Sequence, residues 1–145
     1  MNSKLALEYE FSRDAGDDFG WLAAAVETPK FRGRNGMWVQ WQDLADFAAT
    51  LSTFPIQAES PVTGEWGFAK AGHYTEITKV VIAPNGSTGA LVVNVSLADY
   101  YEPENRCITR FETDYPSLDR FREAIEQMMS ERTGEAVLDG SANNR

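Results

Sequence analysis

The sequence has little of what most catalytic and metal sites require. Among 145 residues there is one histidine, His73, and one cysteine, Cys107, which excludes a histidine-rich or cysteine-rich zinc site. The phosphate-binding G-x-x-x-x-G-K-[ST] loop, the dinucleotide-binding G-x-G-x-x-G pattern and the G-x-S-x-G nucleophile motif are all missing. A Cys107–His73 pair is conceivable, but a cysteine within a strand is more typical of a small core residue. We therefore predict a protein without enzymatic activity, cofactor or metal ion.

Long apolar segments are also missing. The longest apolar runs, such as Trp21–Val26, are far shorter than the roughly 20 residues that span a bilayer. The N-terminus shows no apolar segment followed by a small-residue cleavage site, so no signal peptide is expected. A single cysteine cannot form an internal disulfide, which fits the reducing cytosol. These features predict a cytosolic protein that is not bound to a membrane.

Positive charge is scarce, with 13 basic residues against 22 acidic ones and a formal net charge of −9. This balance argues against nucleic acid as a partner, because phosphate binding needs a basic surface. An acidic surface keeps a small protein soluble, and it also steers association with a basic protein. Both interpretations are open from the sequence, and the second predicts a basic protein partner.

The middle of the chain shows the clearest local order. Alternating residues over Met37–Trp41 predict a strand, and an apolar stripe of 3.6-residue period over Leu44–Leu51 predicts a helix directly after it. Pro55 predicts the end of this helix, since proline disfavours a helical conformation in the residue before it. We expect Trp38 and Trp41 to pack in the core or at the strand–helix corner, with a stacking platform for sugars or bases as the alternative.

Alternation and turn residues predict the remaining strands. They are 5–11, 19–28, 31–34, 66–69, 74–83, 89–97 and 106–112. Asn35-Gly36 is the strongest short signal for a hairpin, so it is expected to turn the chain between 31–34 and the strand that starts at Met37. A second helix is predicted after Pro116, with an apolar stripe over Leu118–Met129.

The order of elements is strands, helix, strands, helix. The simplest arrangement is an α+β fold, in which an antiparallel sheet of about six or seven strands carries two helices packed on one face. A single domain is expected over residues 1–133. Residues 134–145 are expected to form a disordered C-terminal tail, because they offer little to bury.

One loop combines aromatic and acidic residues and is the candidate partner-binding site. Its residues are Asp99, Tyr100, Tyr101, Glu102 and Glu104. Tyrosine is a frequent anchor at protein interfaces, and carboxylates complement a basic partner. A solvated loop and acid–base chemistry by the carboxylates are the alternatives.

The spacing Trp41-x-x-Leu44-x-x-Phe47-x-x-x-Leu51, followed by a Gly72-His73 turn and paired strands, resembles small bacterial α+β domains of uncharacterised families. Some similar small acidic proteins are immunity proteins that neutralise a cognate toxin. The resemblance covers the layout of residues 5–132 and carries no catalytic residue across. It implies an immunity-like module that binds another protein.

A different class of function is the alternative. A small-molecule-binding domain or a minor hydrolase would use a pocket between sheet and helices, lined by Trp38, Trp66 and His73. The chain is expected to be a monomer, or a homodimer joined through the open sheet face or an edge strand.

Overall fold

The computed structural model describes all 145 residues and contains eight strands and two helices. They are β1 (Ser3–Glu10), β2 (Phe19–Glu27), β3 (Arg32–Gln40), α1 (Trp41–Thr50), β4 (Val62–Lys70), β5 (His73–Pro84), β6 (Leu91–Ala98), β7 (Arg106–Thr113), α2 (Tyr115–Glu131) and β8 (Glu135–Gly140). The α+β class is as predicted.

The strands form two antiparallel sheets of four, so the predicted single sheet of six or seven strands is wrong. Sheet 1 has the order β3-β2-β1-β8, and sheet 2 has the order β4-β5-β6-β7. α1 and the connection after it separate β3 from β4, and the second half of the chain starts a new sheet. α2 then returns the chain to sheet 1, where β8 pairs with β1. Alternation along a strand shows which residues face the core, but it does not show which strands pair.

Both sheets and both helices share one core of 30 buried apolar residues. α1 packs against α2, and α2 packs against β8. The alternating apolar residues of β6 are buried, as are four residues of the predicted α2 stripe. Phe47 of α1 connects the layers, with its ring centroid 5.5 Å from Trp66 of β4 and 6.4 Å from Phe121 of α2. The helices therefore share one core with both sheets and do not cover one face of a single sheet.

The second helix starts and ends with clear local signals. The Asp114 carboxylate accepts a 2.7 Å hydrogen bond from the Ser117 N–H, and hydrogen bonding from Ser117 lowers the pKa of Asp114. Arg122 and Glu126 form an i,i+4 ion pair at 2.9 Å. Arg132 adopts a left-handed conformation with φ of 59° directly after the helix, which ends α2 and directs the chain into β8.

β3 runs unbroken through Asn35-Gly36, so the predicted hairpin turn is wrong. The Asn35 side chain points toward sheet 2, where its Nδ2 lies 2.9–3.3 Å from three oxygen atoms of β5 and β6. Gly36 lies on the other face under the indole of Trp21, and a Cβ at this position would overlap the indole nitrogen. Packing on both faces of the strand therefore requires the same two residues that favour a hairpin turn.

The C-terminal segment is ordered, which corrects the predicted disordered tail. Ala136 and Leu138 of β8 are fully buried. Beyond the strand, Ser141 exchanges two backbone hydrogen bonds of 2.8 Å with Glu112 of β7. The segment therefore completes sheet 1 and also connects it to sheet 2.

Candidate protein-binding surface

Two tryptophans stand side by side on the outer face of sheet 1, which points away from the core. Trp21 of β2 and Trp38 of β3 are directly opposite each other in the ladder. Their rings meet edge to face, with centroids 4.9 Å apart. Trp38 is 52% exposed, so the core position predicted for it is wrong. Its neighbours Met37 and Val39 take the inner positions instead, because successive side chains of a strand point to opposite faces.

The β6–β7 loop brings two tyrosines to these tryptophans. The Tyr100 ring centroid lies 6.2 Å from Trp21 and 5.3 Å from Phe68 of β4. Tyr101 packs on Tyr100 with centroids 5.2 Å apart and is itself 77% exposed. We call Trp38, Trp21, Tyr100, Tyr101 and Phe68 the aromatic row. It spans both sheets, and its contacts have the edge-to-face geometry that aromatic pairs prefer.

The acidic residues predicted for partner binding have different roles within the loop. Asp99 accepts hydrogen bonds from the backbone N–H of Tyr101 at 3.1 Å and of Glu102 at 2.7 Å. The Glu102 carboxylate accepts a 3.0 Å hydrogen bond from Asn105. These bonds hold the loop in shape and fix the tyrosine positions. Glu104 is exposed, so its carboxylate faces solvent at this end of the row.

The β1–β2 turn is tied to the first helix near the other end of the row. Asp18 accepts from the indole N–H of Trp41 at 3.3 Å and from the side-chain amide of Gln42 at 2.8 Å. The Trp41 backbone N–H also donates to the Asp18 carbonyl at 3.1 Å. Trp41 therefore lies at the strand–helix corner, as expected.

The electrostatic field near this turn is negative. The Tyr9 hydroxyl donates to the Val39 carbonyl at 2.6 Å, and burial raises the pKa of Tyr9 to about 12, assisted by the charges of Asp17 and Asp43. Burial also raises the pKa of Asp43, with a further contribution from Asp46. Glu10 and Asp17 line a cleft together with Trp38, so the aromatic row has carboxylates at both ends.

The alternative pocket of Trp38, Trp66 and His73 does not form. Trp38 lies on the outer face of sheet 1, whereas Trp66 is 8% exposed and packs into the core. His73 is exposed at the turn between β4 and β5. These three residues therefore face different parts of the molecule.

The Cys107–His73 pair does not form either. Cys107 lies against Gly33 of β3. Across sheet 2, Cys107 pairs with a residue of β6 that in turn pairs with Thr78 of β5. His73 is five residues from Thr78 along β5, which corresponds to about 16 Å. The thiol and the imidazole are too far apart for proton transfer.

Trp21 and Phe68 are surface residues that were not predicted from the sequence. A signal for Trp21 was present, because Leu22, Ala24 and Val26 form the buried face of β2. Trp21 has the opposite parity, which places it on the outer face of β2, and a contiguous apolar patch on a surface indicates an interaction site. No comparable local signal marks Phe68, whose contact with Tyr100 depends on the tertiary fold.

No group of His, Cys, Asp and Glu side chains is arranged to hold a metal ion. Neither helix combines the length and the apolar character needed to cross a membrane. Comparisons with protein-family models, curated proteins and solved structures found no match. Function is therefore inferred from the aromatic row and the carboxylates at its ends.

Proposed function

We propose that this protein is a non-catalytic module that binds a basic protein through the aromatic row. The observation that carries the proposal is a partly exposed line of aromatic side chains across both sheets, with carboxylates at each end. Tryptophan and tyrosine dominate interface hot spots because they bury large areas with few rotatable bonds. Carboxylates around such a centre attract a basic partner and raise its association rate.

Three side chains of the row, Trp21, Tyr100 and Phe68, are already packed in place without a partner, which supports this role. Trp21 lies on Gly36, and Tyr100 is held between Trp21 and Phe68. Asp99 fixes the loop backbone that carries the tyrosines. Little side-chain freedom is then lost on binding, so more of the contact energy appears as affinity.

We further propose, from the resemblance of the sequence, that the partner is a toxin with a basic surface. A net charge of −9 favours rapid capture of a basic protein at moderate salt. Covering that surface would block its access to substrate. The expected behaviour is that of an immunity protein.

Affinity capture from the host cell with matched variants tests this function. A tag at either terminus is suitable, because both termini lie near one end of β1 and Trp38 lies near the other end. The eight residues of β1 separate these two ends by about 23 Å. The test variant is Trp38→Ala with Tyr101→Ala. The control is Phe31→Ala with Ile108→Ala, which removes side chains that are 62% and 72% exposed but lie outside the row.

We expect a stoichiometric basic protein to be captured by the wild type and by the control. Truncating the two anchors should weaken this complex at least about tenfold, measured with the purified proteins. Co-expression should suppress the toxicity of the captured protein. Equal capture by the test variant would refute the assigned surface, and failure to enrich any basic protein would refute the function.

A further inference from the structure

A cleft of about 420 Å³ opens on sheet 1 beside Trp38. Its aromatic walls are Phe19, Trp21 and Trp38, and its carboxylates are Glu10 and Asp17. We call these five residues the aromatic recess. Phe19 is 46% exposed and Trp38 is 52% exposed, so both rings are open to a side chain that enters from solvent. Phe11, Ser12 and Arg13 complete the lining.

The chain itself stacks a guanidinium on an aromatic ring in the adjoining cleft. The Arg132 Cζ lies 4.0 Å from the centroid of the Phe11 ring. This second cleft shares Glu10, Phe11 and Trp21 with the first. The segment just after β1 therefore already binds one arginine side chain of the protein in the manner expected of a cation–π contact.

The charges of the recess leave room for a second cation. Glu10 and Asp17 take part in none of the ion pairs of the structure. One Asp17 oxygen accepts from the Phe19 N–H at 3.0 Å, and the other is available. Arg13 is the one cation of the lining and offsets one of the two carboxylates. The negative field that helps to raise the Tyr9 pKa acts at the same end of sheet 1.

We propose that the aromatic recess binds the guanidinium of an arginine side chain from the basic partner. Arginine suits the recess better than lysine, because a planar and weakly hydrated guanidinium stacks on rings while it donates to carboxylates. The tryptophans provide the stacking faces, and Glu10 and Asp17 accept the hydrogen bonds. This inference rests on the proposed function and names the chemistry recognised at one end of the aromatic row.

Titration with short blocked peptides, followed by NMR, tests the recess directly. The probes are acetyl-Gly-Arg-Gly-amide, its lysine counterpart, and the citrulline counterpart, which keeps the shape of arginine without its charge. The protein has four tryptophans and therefore four indole N–H signals. We expect the arginine peptide to move the Trp21 and Trp38 signals saturably while the buried Trp66 signal stays in place. The citrulline peptide should move none of them.

Variants show whether the named groups are responsible. Phe19→Ala and the pair Glu10→Gln with Asp17→Asn should each weaken arginine binding about two- to fivefold, as expected for an exposed cation–π or ionic contact. Glu59→Gln with Glu123→Gln, at two exposed positions that do not line the recess, is the matched charge control and should have no effect. An unchanged indole signal of the buried Trp66 confirms that each variant remains folded.

Three results would overturn the inference. They are equal shifts with the citrulline peptide, arginine binding that survives the variants, and tighter binding of the lysine peptide. Failure of the recess is distinguishable from failure of the proposed function. A basic partner that still requires Tyr101 but tolerates the Glu10 and Asp17 substitutions would retain the function and refute only the arginine recess.

Discussion

Asn35 provides the sharpest test of how the two sheets are joined. Its Nδ2 lies 2.9 Å from the Ala98 carbonyl, 3.0 Å from the Thr78 hydroxyl and 3.3 Å from the Ile77 carbonyl. Ala98, Thr78 and Ile77 are all fully buried. Because carbonyl oxygens only accept, the amide nitrogen must face them. Asn35→Ala would remove the donor and leave two buried carbonyls without it.

The expected cost follows from the number of bonds. Two N–H hydrogens make at most two full hydrogen bonds, each worth about 1 kcal/mol net, and an orphaned buried acceptor costs about 1–3 kcal/mol. The Asn35 Oδ1 is itself buried without a partner, so its removal offsets part of the loss. We expect Asn35→Ala to lower the free energy of unfolding by about 2 kcal/mol.

Urea unfolding followed by tryptophan fluorescence measures this change. A loss of this size should lower the urea midpoint by roughly 1 M with an unchanged slope. The control is Asn94→Ala on the exposed outer face of β6, which should change stability by less than about 0.5 kcal/mol. An Asn35→Ala variant as stable as the Asn94→Ala control would refute the reasoning.

Asn35→Asp separates hydrogen bonding from shape. The introduced carboxylate would face carbonyl oxygens, so its pKa in the folded state should lie above the unfolded value of about 3.9. The folded state then binds more protons than the unfolded state, and stability falls as pH rises through this interval. The deficit relative to wild type should be larger at neutral pH than near about pH 4. A deficit independent of pH would contradict the assigned contact.

Other substitutions test the remaining structural assignments. Gly36→Ala should cost about 1–3 kcal/mol by displacing the indole above it, whereas Gly16→Ala has room and should leave the melting temperature nearly unchanged. Deleting 135–145 should abolish cooperative unfolding by circular dichroism, while deleting 143–145 should not. Asp114→Ala should cost about 1 kcal/mol. Because the Asp114 pKa is lowered, its contribution is lost as pH falls below about 4, and Asp114→Asn should remove that dependence.

Local patterns in the sequence were sufficient for most of the secondary structure. The alternation in β1, β6 and β7 identified both the strands and their buried faces, because one face of each is covered by the core. The stripes of α1 and α2 identified helices for the same reason at a different period. Pro116 marked the start of α2 because proline fits the first turn of a helix, and the structure adds a hydrogen bond from the Ser117 N–H to Asp114 that spans only three residues. Each of these signals lies within a single helix or strand, or directly beside it.

The candidate site could be predicted only in part. Tyr100 and Tyr101 drew attention because they lie in one acidic loop. Trp21 and Phe68 joined them only in the folded chain, since the row crosses β2, β3, β4 and the β6–β7 loop. The recess likewise combines Glu10 with Asp17 across a turn. Contacts between residues so far apart in sequence leave no local period to detect.

The sequence by itself determined both helices, most of the strands with their buried faces, and an acidic charge balance, but neither β8 nor the continuity of β3. Tertiary structure alone decided the division into two sheets, the pairing of β8 with β1, and the conversion of Asn35-Gly36 from a turn signal into a contact between layers. The physical reason is the range of the interactions. Periodicity reports burial along one element, whereas strand pairing and close packing depend on the residues that a distant segment presents.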